Sequence, residues 1–184
     1  SIRAPAQMKA MLYNEAWIQV IPNRFLKGVS VAEADEQRPH LFTIAIPAYN
    51  VEAFLVDCLE SVRSQTLQDL DIVIVDDGST DKTAEICDTY AELMPTCEVY
   101  HKQNEGLLLA RSDLIKLATG QYVYFLDADD MLHPQALERM SDAIQRFHPD
   151  IITTGYSERT DYSHPRQISG VVSGIMEGPR YKTV

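Results

Sequence analysis

Three carboxylates, Asp127, Asp129 and Asp130, stand within four positions of one another at the end of an apolar run, Tyr122-Val123-Tyr124-Phe125-Leu126. Like charges a few ångströms apart repel and raise each other's pKa, so stability alone gives no reason to gather them. A divalent cation removes that conflict. Carboxylate oxygens are hard ligands suited to Mg²⁺ or Mn²⁺, ions that commonly bridge protein acids to substrate phosphates. The plainer alternative is a solvated acidic turn that caps the next helix. A second group, Asp76-Asp77-Gly78-Ser79-Thr80-Asp81, follows another apolar run, Ile72-Val73-Ile74-Val75. Asp-Gly also suits a turn and Ser or Thr a helix cap, so this segment alone is open to a structural reading. Pro47-Ala48-Tyr49-Asn50 and Gln103-Asn104-Glu105-Gly106 close the set of polar segments.

The elements that deliver these groups alternate. Leu41 to Ile46 reads as a strand stopped by Pro47, and Asn50 to Gln65 as a helix with Leu55, Leu59 and Val62 at helical spacing. Ile72 to Val75 is the continuous apolar type that a parallel sheet buries on both faces. A helix capped by Ser79 or Thr80 runs to about Leu93, followed by a short strand from Glu98 to His101. Leu107 to Thr119 forms a helix with Leu107, Ala110, Leu114 and Leu117 on one side and Gly120 as its C′ stop. After the strand ending at Leu126, a helix begins near Pro134 and ends at Pro149, and Ile151 to Thr154 is a fifth strand. The pattern predicts an α/β domain with a mostly parallel sheet and helices on both faces. Ligands of such sheets sit beyond the carboxyl ends of the strands, which is where the polar segments fall. Three regions follow: 1–40, a short helix over Pro5 to Gln19 and a linker from Gly28 to Pro39; 41–156, the α/β domain; and 157–184, without a convincing period.

The bulk properties narrow the chemistry. A chain of 184 residues supports one sizeable domain. Its net charge of -11 argues against nucleic acid as a backbone-bound partner. A phosphorylated small molecule is compatible, provided a metal or a local basic group offsets the repulsion. Cys58, Cys87 and Cys97 form no C-x-x-C pair, which argues against a zinc site or disulfide framework and fits a reducing, cytoplasmic compartment. No apolar run approaches the roughly 18 residues of a membrane span, and no signal-peptide core opens the chain. Peripheral contact with the inner face of a membrane stays open.

Taken in order, Thr43-Ile44-Ala45-Ile46-Pro47-Ala48-Tyr49-Asn50, Gln65-Thr66, Val75 to Asp81, Asn104-Glu105-Gly106 with Ala110-Arg111, and Phe125 to Asp130 resemble the nucleotide-sugar-binding half of the inverting family 2 glycosyltransferases, which have the GT-A fold. The resemblance implies sugar transfer from a nucleotide diphosphate donor, with UDP the expected nucleotide, to a glycan, lipid-linked or other hydroxyl acceptor, in cell-surface polysaccharide or glycoconjugate synthesis. It implies Mn²⁺ or Mg²⁺ as cofactor. By match to the family pattern, Pro47, Ala48, Tyr49 and Asn50 line the nucleotide pocket, and Glu52 faces the nucleotide. Asp77 accepts from the base, Asp76 supports its loop, Arg111 lies near the base and its carboxylate partner, and Gly106 belongs to the nucleotide-sugar-binding set. Asp127, Ala128 and Asp129 form the D-x-D segment holding ribose and metal, with Asp130 as a third acid.

Two departures stand out. Leu107-Leu108-Leu109 occupies a place where the family usually has small residues. Only Gly155 to Val184 follow the fifth strand, so the acceptor region that would supply a general base is expected to be cut short, and none of Glu158, Asp161 and Glu177 is assigned that role. The alternative function is therefore a non-catalytic nucleotide-sugar-binding module, or a fragment of a larger enzyme.

Overall fold

The computed structural model describes residues 20–22, 40–149 and 152. Nine elements occur among them in the order β1 (Val20–Pro22), β2 (Phe42–Ala48), α1 (Leu55–Arg63), β3 (Leu70–Asp76), α2 (Thr83–Leu93), β4 (Cys97–His101), α3 (Leu107–Leu117), β5 (Tyr122–Phe125) and α4 (Ala136–Phe147). The expected helix over Pro5 to Gln19, the linker and the region 157–184 lie outside the described residues. Of the expected strand 151–154, Ile152 is described, bridged antiparallel to Val20.

The strands form one sheet in the order β1-β5-β2-β3-β4. β5, β2, β3 and β4 run parallel, and β1 adds antiparallel to β5 at the edge. β1 was not foreseen: three residues ending in Pro22 are too short to show alternation, and an edge is where a strand tolerates proline. The chain builds β2, β3 and β4 outward in one direction, then returns to place β5 on the other side of β2. The order therefore reverses between β2 and β5, the place beyond the carboxyl ends where such sheets bind ligands.

Alternation splits the core into two layers. Phe42, Ile44, Ile46, Ile72, Ile74, Tyr122 and Tyr124 face α1, α2 and α4, meeting Leu55, Leu59, Cys87, Leu137 and Ile144. Ala45, Val73, Val75, Val123 and Phe125 face α3 through Ala110 and Leu114. Helices thus cover both faces, as the apolar strands required. Leu107 does not join this seam. It is half-exposed, and α3 packs through Ala110, Leu114 and the following Ala118 instead.

Two sequence expectations change for physical reasons. Pro47 does not stop its strand, because β2 continues through it to Ala48. Phe42 donates its N–H toward β3, so by alternation the N–H that Pro47 lacks would point toward β5. The pairing of β2 with β5 ends at Ala45 and Phe125, so no ladder bond is lost. Gly120 is not a helix stop either. A Cβ there would lie 2.5 Å from Thr43 N and 2.6 Å from Phe42 C, so close approach to β2 demands the glycine.

Candidate functional site

The loops after β2 and β3 are laced to each other. Asn50, held at φ 52°, accepts from Thr80 N at 2.8 Å through Oδ1 and donates its own N–H to Ser79 Oγ at 3.0 Å. Val51 N–H donates to Thr83 Oγ1, Glu52 N–H to Asp81 Oδ2, and Lys82 N–H to Glu52 Oε2. Asn50 and Glu52 therefore spend their side chains on the neighbouring loop. Ser79 and Thr80 likewise bond to Asn50 instead of capping α2. The amide of Thr83, the first residue of α2, is met by Asp81 Oδ1 at 2.9 Å, beside the Glu52 carboxylate on Lys82 N.

The loop after β4 is held by the pair Asp76-Asp77. Both side chains are buried at the end of β3. Asp77 accepts from Glu105 N at 2.9 Å and from Gly106 N at 2.7 Å, one amide on each oxygen. Asp76 accepts from Ser79 N at 3.0 Å on one oxygen and meets His101 Nδ1 at 2.8 Å on the other. Two glycines make this possible. Gly78 has φ +75° and a Cβ there would stand 2.7 Å from Asn104 N. Gly106 has φ +91° with open space around it, so its backbone can turn into α3 without obstructing the rim. Lys102 adds ion pairs at 2.6 Å to Glu105 and to Asp113 of α3.

The loop after β5 carries the acids. Arg111, one turn into α3, donates from Nη2 to Asp127 Oδ1 at 2.7 Å. Its Nε is buried, with no hydrogen-bond partner among the described residues. Asp129 and Asp130 are exposed, while Ala128 between Asp127 and Asp129 is buried and pins the segment to the core. Partial desolvation within the acid loop pushes the Asp130 carboxyl up, and the charges of Asp129 and Asp127 push in the same direction. From beneath, α1 supports this loop. Cys58 Sγ lies 3.8 Å from Asp127 O, Ser61 Oγ accepts from Leu132 N, and Gln65 bonds to His133 O and to Leu137 N.

The expected residues thus gather on the carboxyl rim in graded roles. Ala48 O accepts from Asp77 N, tying β2 to the second loop, and Pro47 lies buried beside it. Tyr49 is half-exposed on the rim, as are Leu107, Leu108 and Leu109. Asp77 and Asp127 are linked through Gly106, the first turns of α3 and Arg111. Sequence reasoning gave no role to His101, Lys102 and Asp113, whose signal was only their place at the end of β4, directly after it, and in the second turn of α3. It quoted Gln65-Thr66 without a role; Gln65 proves to be the anchor of the acid loop.

Among the described residues, no three His, Cys, Asp or Glu side chains converge into a closed metal-binding group. A cation that keeps waters and binds substrate phosphates needs only one or two protein carboxylates. The acids at 127, 129 and 130 fit that open type, with one Asp127 oxygen already committed to Arg111.

Comparison with known proteins decides the family. The profile described as Glycosyl transferase family 2 matches residues 43–177. The chain belongs to this family. Among family 2 relatives, the uncharacterized glycosyltransferase EpsJ of Bacillus subtilis is 36% identical over 130 residues, covering 68% of this chain and 38% of EpsJ. The chondroitin synthase of Escherichia coli is 35% identical over 128 residues, covering 70% of this chain and 19% of that enzyme. The solved structure of S. aureus TarS 1-349 in complex with UDP superposes with a TM-score of 0.56 at 30% identity, covering 59% of this chain and 33% of that one. TarS has also been solved in complex with UDP-GlcNAc. The chain spans well under half the length of each of these proteins. The sheet with helices on both faces is the GT-A fold of these glycosyltransferases. No helix among the described residues is long and apolar enough to cross a membrane.

Proposed function

We propose that this chain holds the nucleoside diphosphate of a UDP-sugar along the carboxyl rim of its sheet, and that the protein to which it belongs transfers the sugar, with inversion, to a hydroxyl acceptor in polysaccharide or glycoconjugate synthesis. The observation that carries this reading is the Arg111–Asp127 pair beside Asp129 and Asp130, on the carboxyl rim where strand order reverses. Relatives solved with UDP and UDP-GlcNAc support uridine as the base, and the chondroitin synthase supports a glycan acceptor.

In this reading Asp77, fixed by two amides, presents the remaining lone pairs of its carboxylate toward the base, while Tyr49 offers a ring for stacking. Asp127 is oriented by Arg111 toward the ribose. Asp129, with Asp127 and Asp130, would hold Mn²⁺ or Mg²⁺, which as a Lewis acid stabilises charge growing on a leaving diphosphate. The chain's own contribution is to fix the donor and keep its acids apart until that charge is balanced. Without a cation the same acids, in a chain of net charge -11, repel a diphosphate.

Calorimetry with UDP tests this directly. Binding is expected with Mn²⁺ and is expected to weaken by roughly tenfold or more when EDTA replaces it. Asp129→Ala is expected to remove the metal-dependent part while the thermal melt stays within a few degrees of the parent chain. Equal UDP affinity in Asp129→Ala and the parent would reject the metal role. Sugar transfer measured for this chain and for a longer protein containing it separates an enzyme from a donor-binding module.

A further inference from the structure

Asp76 and Asp77 are adjacent carboxylates, each only 3% exposed. Asp77 is compensated by two backbone amides. Asp76 has one amide, from Ser79, and its other oxygen faces the imidazole of His101. His101 itself lies between two acids, since Nε2 reaches Asp88 Oδ1 on α2 at 3.0 Å. A charged imidazolium donates to both. A neutral ring has a single N–H and turns a lone pair on one of the two carboxylates.

We propose that His101 is a positioning residue for the nucleoside-diphosphate donor: bridging Asp88 and Asp76 from outside the pocket, its imidazolium locks the 76–79 turn against the 101–106 loop. The inference rests on the donor reading above. It reaches the pocket through two short links. Asp76 carries Ser79 N on its free oxygen and accepts Lys102 N at 3.0 Å on its main-chain carbonyl. Asp77, the next residue, holds the amides of Glu105 and Gly106 that open α3 toward Arg111.

The charged groups that face the ring are Asp76 from β3 and Asp88 from α2. Lys102 turns instead to Glu105 and Asp113. The Cys87 thiol on α2, pushed up to about 12 mainly by burial, stays neutral at ordinary pH. Hydrogen bonds to Asp76 and then to Asp88 raise the His101 pKa above its ordinary 6.5. A group raised on folding contributes fully below its unfolded pKa, and that contribution is lost as pH rises through the folded value. The lock is therefore strongest in mild acid and loosens on the alkaline side of 6.5.

The test is a ¹⁵N NMR titration of the chain from about pH 5.5 to about pH 9, with UDP affinity measured across the same range for wild type, Asp88→Asn and His101→Asn. Affinities are compared between variants at each pH, so that titration of the ligand cancels. The Ser79 and Gly106 amides are expected to shift with the midpoint of the His101 ring. Asp88→Asn, a change at an exposed side chain off the pocket, is expected to move both midpoints down and to weaken UDP roughly three- to tenfold only in the interval between the two midpoints. His101→Asn is expected to weaken UDP at low pH and to converge on wild type at high pH. Ser79 and Gly106 amides that ignore the ring, or an Asp88→Asn midpoint equal to wild type, overturn the proposal. Should His101→Asn not fold, Asp88→Asn decides by itself. Failure of UDP to bind at any pH, with the amides still tracking the ring, instead overturns the donor reading on which the proposal stands.

Discussion

At the level of single residues, the same side-chain type does opposite things according to its surroundings. Asp127 is exposed and paired with Arg111, whereas Asp71 is drawn inward at the opposite end of the sheet. Thr43 Oγ1 and Thr119 Oγ1 both donate to Asp71, and Thr43 Oγ1 in turn accepts from Gly120 N. Desolvation nevertheless wins over these bonds and raises the Asp71 carboxyl. Its ionised form is then a cost of folding, absent below the unfolded pKa near 3.8 and growing as pH rises through the folded value. Asp71→Asn keeps the acceptor for Thr43 and offers Thr119 Oγ1 a donor. It is expected to raise the melting temperature at neutral pH, with the gain vanishing as pH falls below the unfolded pKa near 3.8. A melt that falls at neutral pH would contradict this. The acids of the site were legible because carboxylates at the ends of apolar strands are conspicuous. What Asn50 and Glu52 do was not, because their partners lie about thirty positions away and meet them only once β2 and β3 pair in register.

Among the elements, α1 matters less for its length than for what its last turn carries. Leu55, Cys58, Leu59 and Val62 bury one face, as their spacing indicated. Gln65, just beyond it and 4% exposed, then bonds to Ser61 O, His133 O and Leu137 N, and Thr66 N donates to Pro134 O. These contacts fix the segment between the acids and α4. Gln65→Leu fills the same volume but strands a buried amide and carbonyls, which is expected to cost about 2–3 kcal/mol. Denaturant unfolding should show that loss, and UDP binding should weaken further than the stability change explains. A variant with parent stability would mean that water replaces the amide. The alternation of strands and helices was readable from apolar periodicity alone. Helix starts were not: α1, α2 and α4 begin five, four and two residues after Asn50, Ser79 and Pro134, which are engaged with other loops.

Across the molecule, the fold separates stability from chemistry. Two apolar layers and the Thr43–Asp71–Thr119 tie hold the sheet at its base. The carboxyl rim, by contrast, consists of four loops, three of them joined by backbone-to-carboxylate bonds and the fourth tied in by the Arg111–Asp127 pair. Such bonds set positions accurately and are open to charge and pH, which suits a surface that must receive an anion. The overall architecture could be anticipated because a parallel sheet leaves few alternatives once strands and helices alternate. The antiparallel β1 could not, since its partner β5 lies about a hundred positions further along the chain.

The three cysteines offer a use that nature did not assign them. Cys58 and Cys87 are sealed, Cys97 is 7% exposed, and burial pushes every one of the thiols upward, Cys97 to about 11. Thiolate is the species that alkylates, so the native chain should resist iodoacetamide for as long as its helices stay shut. Cys58 sits directly under the main chain of Asp127, and its labelling rate would therefore act as a stopwatch for the lifting of that one segment. A donor that clamps the rim should slow the stopwatch at Cys58 while leaving Cys97, on the far strand, almost untouched.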